Sequence, residues 1–205
     1  MFTSPGKLDI VKVMTTFPLL KVTNFTQSKG GYLLFKNLFF EVHSGQAIVL
    51  MGPNGSGKTT LLRCLAGIPD VFPEIIKAPG LRQSYVGHLN ALKSSLTVHQ
   101  NLAQQMKVLS EQLTKTLEDW GLASLQDREI RILSAGQRRQ VALARLPLSG
   151  AKLWLVDEPI THLDAAAAAH FWASLQTHLK SGGAAVLSSH TPVPLSCAKV
   201  VVLHG

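Results

Sequence analysis

Cysteine is scarce in this chain of 205 residues, which contains only Cys64 and Cys197. Two cysteines form neither a disulfide framework nor a structural zinc set, and the chain has no Cys-x-x-Cys pair. Long apolar runs are also missing, because no stretch reaches the roughly 18 consecutive apolar residues of a membrane-spanning helix. The sequence therefore favours a reducing compartment and indicates that the chain does not span a membrane by itself.

Charged residues are few, at 16% of the chain, whereas 46% of the residues are hydrophobic. This composition excludes a disordered or collagen-like chain, and a chain of this length can bury most of its apolar surface. The net charge of +8 suits phosphate ligands, nucleic acid or an anionic membrane surface. No basic block or aromatic-interleaved patch is present, so we expect no nucleic-acid binding, although the charge alone leaves it open.

The first 16 residues carry Lys7 and Lys12 but neither a long apolar core nor an arginine-rich pattern. We therefore expect neither a secretory signal peptide nor a mitochondrial presequence. Residues 1–16 are interpreted as an N-terminal extension. Met14 is an alternative candidate for the start, because the ordered pattern begins just after it.

Predicted strands and predicted helices alternate along the chain. Residues 19–25 and 33–42 have the pattern of half-buried strands, and Gly30–Gly31 predicts a turn between them. Buried strands are predicted at residues 46–51, 153–157 and 184–188, and helices at residues 58–66, 96–118, 134–146 and 164–180. This alternation predicts an α/β domain with a parallel sheet, into which residues 88–150 are inserted as helices.

A glycine-rich segment at residues 52–59 matches the pattern GxxxxGK[ST] and lies between a predicted strand and a predicted helix. Its glycines let successive backbone N–H groups approach phosphates, and the helix adds its positive end. Lys58 is expected to neutralise the β and γ phosphates, and the Thr59 hydroxyl to ligate Mg²⁺. The residues predicted to bind the nucleotide here are Gly52, Pro53, Asn54, Gly55, Ser56, Gly57, Lys58, Thr59 and Thr60.

The apolar run at residues 153–157 ends in two acids, Asp157 and Glu158. The strand delivers Asp157 to its carboxyl end, beside the phosphate loop, where the carboxylate can hold Mg²⁺ through water. Glu158 is then placed to orient or deprotonate the attacking water as a general base. Together the two motifs predict a site that hydrolyses a nucleotide.

Residues 133–137, Leu-Ser-Ala-Gly-Gln, resemble the LSGGQ signature of ABC ATPases, with Ala135 in place of the first glycine. A helix N-terminus with Ser134 and Gly136 is also an anion site. In this family the signature caps the γ-phosphate of ATP held by the opposite subunit. The resemblance therefore implies a homodimer in which Ser134, Ala135, Gly136 and Gln137 contact the partner's nucleotide.

Two further segments match the same family. Thr161-His162-Leu163-Asp164 occupies the place of its D-loop, which adds Asp164 to the nucleotide-contacting residues. His190, after the strand Ala-Ala-Val-Leu-Ser, matches the switch histidine that contacts the γ-phosphate.

The resemblance covers residues 19–203 and implies a P-loop NTPase fold of the ABC ATPase type. That fold has a parallel RecA-like sheet, antiparallel N-terminal strands and a helical subdomain. It implies one domain at residues 17–205, with its core at residues 17–87 and 151–205 and the helical subdomain at residues 88–150.

The segment Tyr85-Val-Gly-His88, followed by Leu92-Lys93 and Leu96-Thr97, resembles the cytochrome c maturation ATPases named CcmA. That resemblance implies ATP-driven haem export or release of a haem-loaded chaperone, with a CcmB-like permease and CcmC-like and CcmD-like proteins. The ATPase would then lie peripherally on the cytoplasmic face of a bacterial inner membrane, or on the matrix face of the mitochondrial one. His88 stands where the family usually has a glutamine. We count it among the catalytic candidates, as a Mg²⁺ or water contact or as an interface residue.

Two alternatives for the function stay open. The chain could serve another ABC transporter, or it could be a soluble ABC ATPase of translation, repair or iron–sulfur assembly.

The residue that contacts the adenine base also has two candidates. It is either Lys29, which aligns with the family's stacking aromatic, or Tyr32 three residues later. The segment from Gly67 to Ser84 is short for the family, which predicts a reduced antiparallel strand pair and a more open base site.

Overall fold

The computed structural model describes residues 17–106, 110–196 and 198–204. Residues 1–16, with the predicted extension and Met14, and Cys197 lie outside the described residues. The strands are β1 (Leu20–Lys29), β2 (Tyr32–Val42), β3 (Ala47–Met51), β4 (Ile75–Lys77), β5 (Gln83–Val86), β6 (Leu153–Val156), β7 (Ala184–Ser188) and β8 (Ala198–Val202). The helices are α1 (Lys58–Ala66), α2 (Val98–Met106), α3 (Ser110–Asp119), α4 (Ala135–Leu148) and α5 (Ala165–Lys180), with 3₁₀ turns at Ala123–Leu125 and Ile130–Ile132.

A small antiparallel sheet has the strand order β2-β1-β4. Strands β1 and β2 form a hairpin that turns at Gly30 and Gly31, whose φ angles of 58° and 82° suit glycine. Phe25 of β1 packs its ring 5.6 Å from that of Phe35 and 5.1 Å from that of Phe72. These aromatic contacts belong to the apolar layer between this sheet and α1.

The larger sheet has the order β5-β6-β7-β3-β8, and all its pairs are parallel. Its central strands β6 and β7 are buried along their whole length, as expected for strands covered on both faces. Helix α1 contacts one face, and helices α4 and α5 belong to the core on the other. The carboxyl ends of β3, β6 and β7 thus meet at one edge, where the predicted motifs lie.

The fold confirms the predicted α/β class, with a parallel sheet, antiparallel N-terminal strands and helices α2 to α4 between β5 and β6. Helix α1 has the bounds that were predicted, and α4 continues two residues further, through Pro147. Strands β4, β5 and β8 were not predicted from the sequence. Of the helices in the described ranges, none combines the length and the apolar character needed to cross a bilayer.

Candidate functional site

The phosphate loop connects β3 to α1 and is shaped by three glycines. Gly52, Gly55 and Gly57 have φ angles of 147°, 85° and 95°, a region that disfavours other residues. The ammonium group of Lys58, only 6% exposed, donates to the carbonyl oxygens of Gly52 and Pro53 at 2.7 and 2.8 Å. The lysine is thereby held across the mouth of its own loop.

Two observations on this loop fit a phosphate ligand. The Ser56 hydroxyl is buried and, within the described part of the chain, has no hydrogen-bond partner. A Cβ at Gly55 would point into open space, with no atom within 4 Å. A loop with an unsatisfied hydroxyl, a lysine and the N-terminus of α1 has the donors that phosphate oxygens need.

The acid at the end of β6 is joined to the loop by short hydrogen bonds. Thr59 Oγ1 donates to Asp157 Oδ2 at 2.7 Å, and Ser188 Oγ donates to Asp157 Oδ1 at 2.5 Å. Asp157 is only 1% exposed. The Thr59 hydroxyl and the Asp157 carboxylate are oxygen ligands of the type that Mg²⁺ prefers, so this pair fits a magnesium ion.

Glu158 adopts a left-handed backbone conformation, with φ at 46°. Its N–H donates to Ser188 Oγ at 2.8 Å, its Oε1 lies 2.5 Å from His190 Nε2, and its Oε2 accepts from Thr161 Oγ1 at 3.3 Å. The carboxylate is thus held by side chains from the segments that follow β6 and β7. The sequence-predicted pair of Glu158 and His190 is in direct contact.

Electrostatics keep the Glu158 carboxyl ionised. Burial raises its pKa, but the hydrogen bond and charge of His190, the Thr161 hydroxyl and the charge of His88 outweigh this effect and lower the pKa below its usual range. A general base must be deprotonated to act, so this environment suits proton abstraction at neutral pH. His88 is exposed and reaches Glu158 through its charge.

We expect His190→Ala to move the acidic limb of the pH profile to higher pH. The substitution removes the hydrogen bond and the charge of His190, the two largest of the interactions that lower the pKa of Glu158, and leaves burial, which raises it. As the pH falls, Glu158 is then protonated earlier and activity is lost earlier. The measurement is kcat/KM for ATP hydrolysis against pH, with Thr161→Ala expected to give a smaller shift in the same direction. An acidic limb that stays in place would contradict the prediction.

A cavity of about 340 Å³ is lined by residues of the phosphate loop and by Lys29, Leu34 and Glu158. Lys29, at the end of β1, is therefore part of the cavity wall. Tyr32 is 79% exposed and is not among the residues that line it. Of the two candidates for the base contact, the structure brings only Lys29 to the phosphate loop.

The signature segment lies outside this cavity, since none of its lining residues in the described ranges comes from residues 134–137. Ser134 begins α4 with a capping box, in which its Oγ accepts from the Gln137 N–H and Gln137 Oε1 accepts from the Ser134 N–H. The Ser134 hydroxyl proton stays available for an anion, because a hydroxyl both accepts and donates. Gly136 packs so tightly that a Cβ would lie 2.6 Å from the His162 carbonyl oxygen.

Asp164 acts as the N-cap of α5, where its Oδ1 accepts from the Ala167 N–H at 2.8 Å. Sequence reasoning missed two other polar residues of this region. Ser188 joins Asp157 to Glu158, and Arg139 binds the backbone after β6. The available signal for Ser188 was a polar residue at the end of a buried strand, and for Arg139 a charge at an inward-facing position of α4.

Comparison with known proteins assigns the family. The ABC transporter domain family matches residues 35–161. The cytochrome c biogenesis ATP-binding export protein CcmA of Cereibacter sphaeroides is 40% identical over 185 residues, which cover 90% of this chain and 88% of that protein. The protein of the same name from Paracoccus denitrificans is 40% identical over 186 residues, which cover 90% of this chain and 89% of that protein.

Solved structures agree on the fold. The ATP-binding subunit of an ABC transporter superposes with a TM-score of 0.78 at 22% identity, covering 91% of this chain and 86% of that one. An ABC transporter ATP-binding protein from Pyrococcus furiosus superposes with a TM-score of 0.77 at 21% identity, covering 90% of this chain and 96% of that one. The phosphate loop, the paired acids after β6 and these likenesses converge: the chain belongs to the ABC transporter family of ATP-hydrolysing subunits, within the group of the CcmA proteins.

Proposed function

We propose that this chain drives haem export, or release of a haem-loaded chaperone, in cytochrome c maturation. It acts as a homodimer on a CcmB-like permease, alongside CcmC-like and CcmD-like proteins. The observation that carries the proposal is 40% identity to the CcmA protein of Cereibacter sphaeroides across 90% of the chain. The segment from Tyr85 to Thr97, which differs from that of other ABC ATPases, supports the same assignment.

ATP binds with its phosphates in the loop at residues 52–60. Backbone N–H groups and the Ser56 hydroxyl donate to phosphate oxygens, while Lys58 exchanges its carbonyl partners for the β and γ phosphates. The base lies over Lys29, whose ammonium group can make a cation–π contact with the ring.

Thr59 and Asp157, which are hydrogen-bonded to each other, would hold Mg²⁺ with the threonine hydroxyl and the carboxylate. When bound, Mg²⁺ neutralises negative charge on the transferred phosphate. Ser188 keeps the Asp157 carboxylate in place by donating to its other oxygen.

Glu158 accepts a proton from the attacking water, whose oxygen forms the new bond to the γ-phosphorus as the bond to the ADP oxygen breaks. His190 donates to Glu158 or to the γ-phosphate, and it lies at the distance needed for the first of these contacts. Most of the rate enhancement comes from positioning and charge neutralisation, since phosphoryl transfer asks little covalent chemistry of the protein.

The second copy completes each site. Its Ser134 hydroxyl and the N-terminus of its α4 cap the γ-phosphate, together with Ala135, Gly136 and Gln137. Asp164, at the start of α5, lies in the segment that faces the second copy. This arrangement explains why the signature does not line the phosphate-loop cavity of its own chain.

The protein binds peripherally at the cytoplasmic face of the bacterial inner membrane. The loop after β5 carries His88 and Leu89, and the Leu89 side chain is 84% exposed. Leu89 is exposed and lies next to His88, whose charge acts on Glu158. This pair suits a contact with the permease that transmits whether the nucleotide site is occupied.

We expect tagged Glu158→Gln protein, with ATP added, to recover haem-handling membrane proteins from detergent-solubilised native membranes. The variant retains ATP and holds the closed dimer, which the permease recognises. Mass spectrometry of the eluate, with a scan for the haem Soret band, is the measurement, and Lys58→Ala protein serves as the control that binds no ATP. Recovery of a different permease would overturn the haem assignment. A protein found without any membrane partner would indicate a soluble ABC ATPase.

A further inference from the structure

Arg139 is a buried arginine whose five N–H donors are all used. It lies on α4 and is only 3% exposed. Nε donates to the Pro159 carbonyl oxygen at 3.3 Å, and one terminal nitrogen donates to the carbonyl oxygens of Asp157 and Glu158. The other terminal nitrogen donates to the Gly87 carbonyl oxygen at 2.8 Å and to Asn90 Oδ1 at 3.1 Å. The guanidinium group therefore has no spare donor.

One side of the guanidinium stabilises an unfavourable backbone turn. Glu158 has a φ of 46°, a left-handed conformation that is unfavourable for a residue other than glycine unless surrounding contacts enforce it. Arg139 binds the carbonyl oxygens before, at and after this residue. Because it uses backbone oxygens, the Glu158 carboxylate keeps its contacts with His190 and Thr161.

The other side of the guanidinium holds the loop after β5. Gly87 and Asn90 flank His88 and Leu89, so both ends of this short exposed segment are attached to Arg139. Arg145, six residues later on α4, binds the same loop through the carbonyl oxygens of Asn90 and Ala91 at 2.7 and 3.4 Å. The Arg145 Nε donates to the Ala142 carbonyl oxygen of its own helix at 3.0 Å.

We infer that Arg139 is a positioning residue for ATP hydrolysis: it holds the backbone turn that aims Glu158 and couples this turn to the loop carrying His88. The inference rests on the proposed role of Glu158 as the general base. A planar fork with donors in five directions is required, because a lysine has three donors at one point and cannot reach both segments.

We expect Arg139→Lys to lower kcat for ATP hydrolysis by about 10- to 100-fold, since small displacements of a catalytic group have effects of this size. KM is expected to stay within about threefold, because the five hydrogen bonds of Arg139 all go to residues outside the phosphate loop and an interaction used only in the transition state affects kcat. The matched control is Arg145→Lys, a buried arginine on the same helix and the same loop, which should keep kcat within about threefold of the unchanged protein. Circular dichroism and thermal unfolding confirm that each variant is folded.

Three results with the two lysine variants would overturn the inference. A folded Arg139→Lys protein with unchanged kcat overturns the inference, as does a raised KM at unchanged kcat. An equal loss of kcat in both lysine variants also overturns it, since this would reflect general damage to α4. If Arg139→Lys does not fold, Asn90→Ala replaces it, with kcat expected to fall severalfold at constant KM and no change overturning the inference. Glu158→Gln is assayed alongside, because turnover in that variant would refute the role of Glu158 itself.

Discussion

Replacing Glu158 with glutamine is expected to reduce steady-state ATP hydrolysis by about 100-fold or more and to leave ATP binding intact. The amide has the shape of the carboxylate but cannot take a proton from the attacking water. The backbone contacts of Glu158 with Ser188 and Arg139 do not involve its side chain, so the turn is retained. ATP that is bound but not hydrolysed should hold two copies together.

Two measurements on the same protein separate the rate of ATP hydrolysis from ATP-dependent dimer formation. Phosphate release gives the rate, and light scattering with and without ATP and Mg²⁺ gives the fraction of dimer. Glu118→Gln is the control, because Glu118 is an exposed glutamate on α3. An unchanged rate in Glu158→Gln would refute the assignment of the base. A low rate without an ATP-dependent dimer would instead refute the shared site.

The local motifs could be predicted from the sequence because the geometry of each one is determined by residues that are close together in the chain. The loop at residues 52–59 needs glycine at positive φ and is followed by α1 with the predicted bounds. The helix predicted at residues 164–180 is α5, and the structure shows Asp164 at its start, with Oδ1 accepting the Ala167 N–H. Cap and loop geometries depend on residues three or four positions apart, which is the distance that sequence patterns report.

The remaining features depend on contacts between distant segments. Arg139 reaches Gly87 and Asn90 across about 50 residues, and nothing in its neighbours on α4 specifies those partners. Strand β4 has only three residues, which is too short for a sequence pattern to predict. Strand β8 does have an apolar run at residues 200–202, but it lies at the sheet edge, where all five of its side chains are partly or fully exposed. The choice between Lys29 and Tyr32 needed the fold of the hairpin, since three residues separate them.

Replacing Lys58 with alanine is expected to weaken ATP binding by about 100-fold or more. A hydrogen bond to a charged group contributes about 1.5–3 kcal/mol, and about 1.4 kcal/mol corresponds to a tenfold change in affinity, so two lost phosphate contacts reach this size. The substitution also leaves the Gly52 and Pro53 carbonyl oxygens without the donor that holds the loop mouth. Hydrolysis then falls because ATP is not held, whereas Glu158→Gln retains ATP.

Isothermal titration with ATP and Mg²⁺ measures this loss directly. Lys36→Ala is the control, since Lys36 is an exposed lysine on β2 and lies outside the phosphate-loop cavity. Lys58→Arg tests whether charge alone is sufficient: the larger guanidinium cannot occupy a position that is 6% exposed without displacing the loop, so we expect it to bind ATP poorly as well. Full affinity in Lys58→Ala would mean that the backbone N–H groups and the N-terminus of α1 hold the phosphates without the lysine.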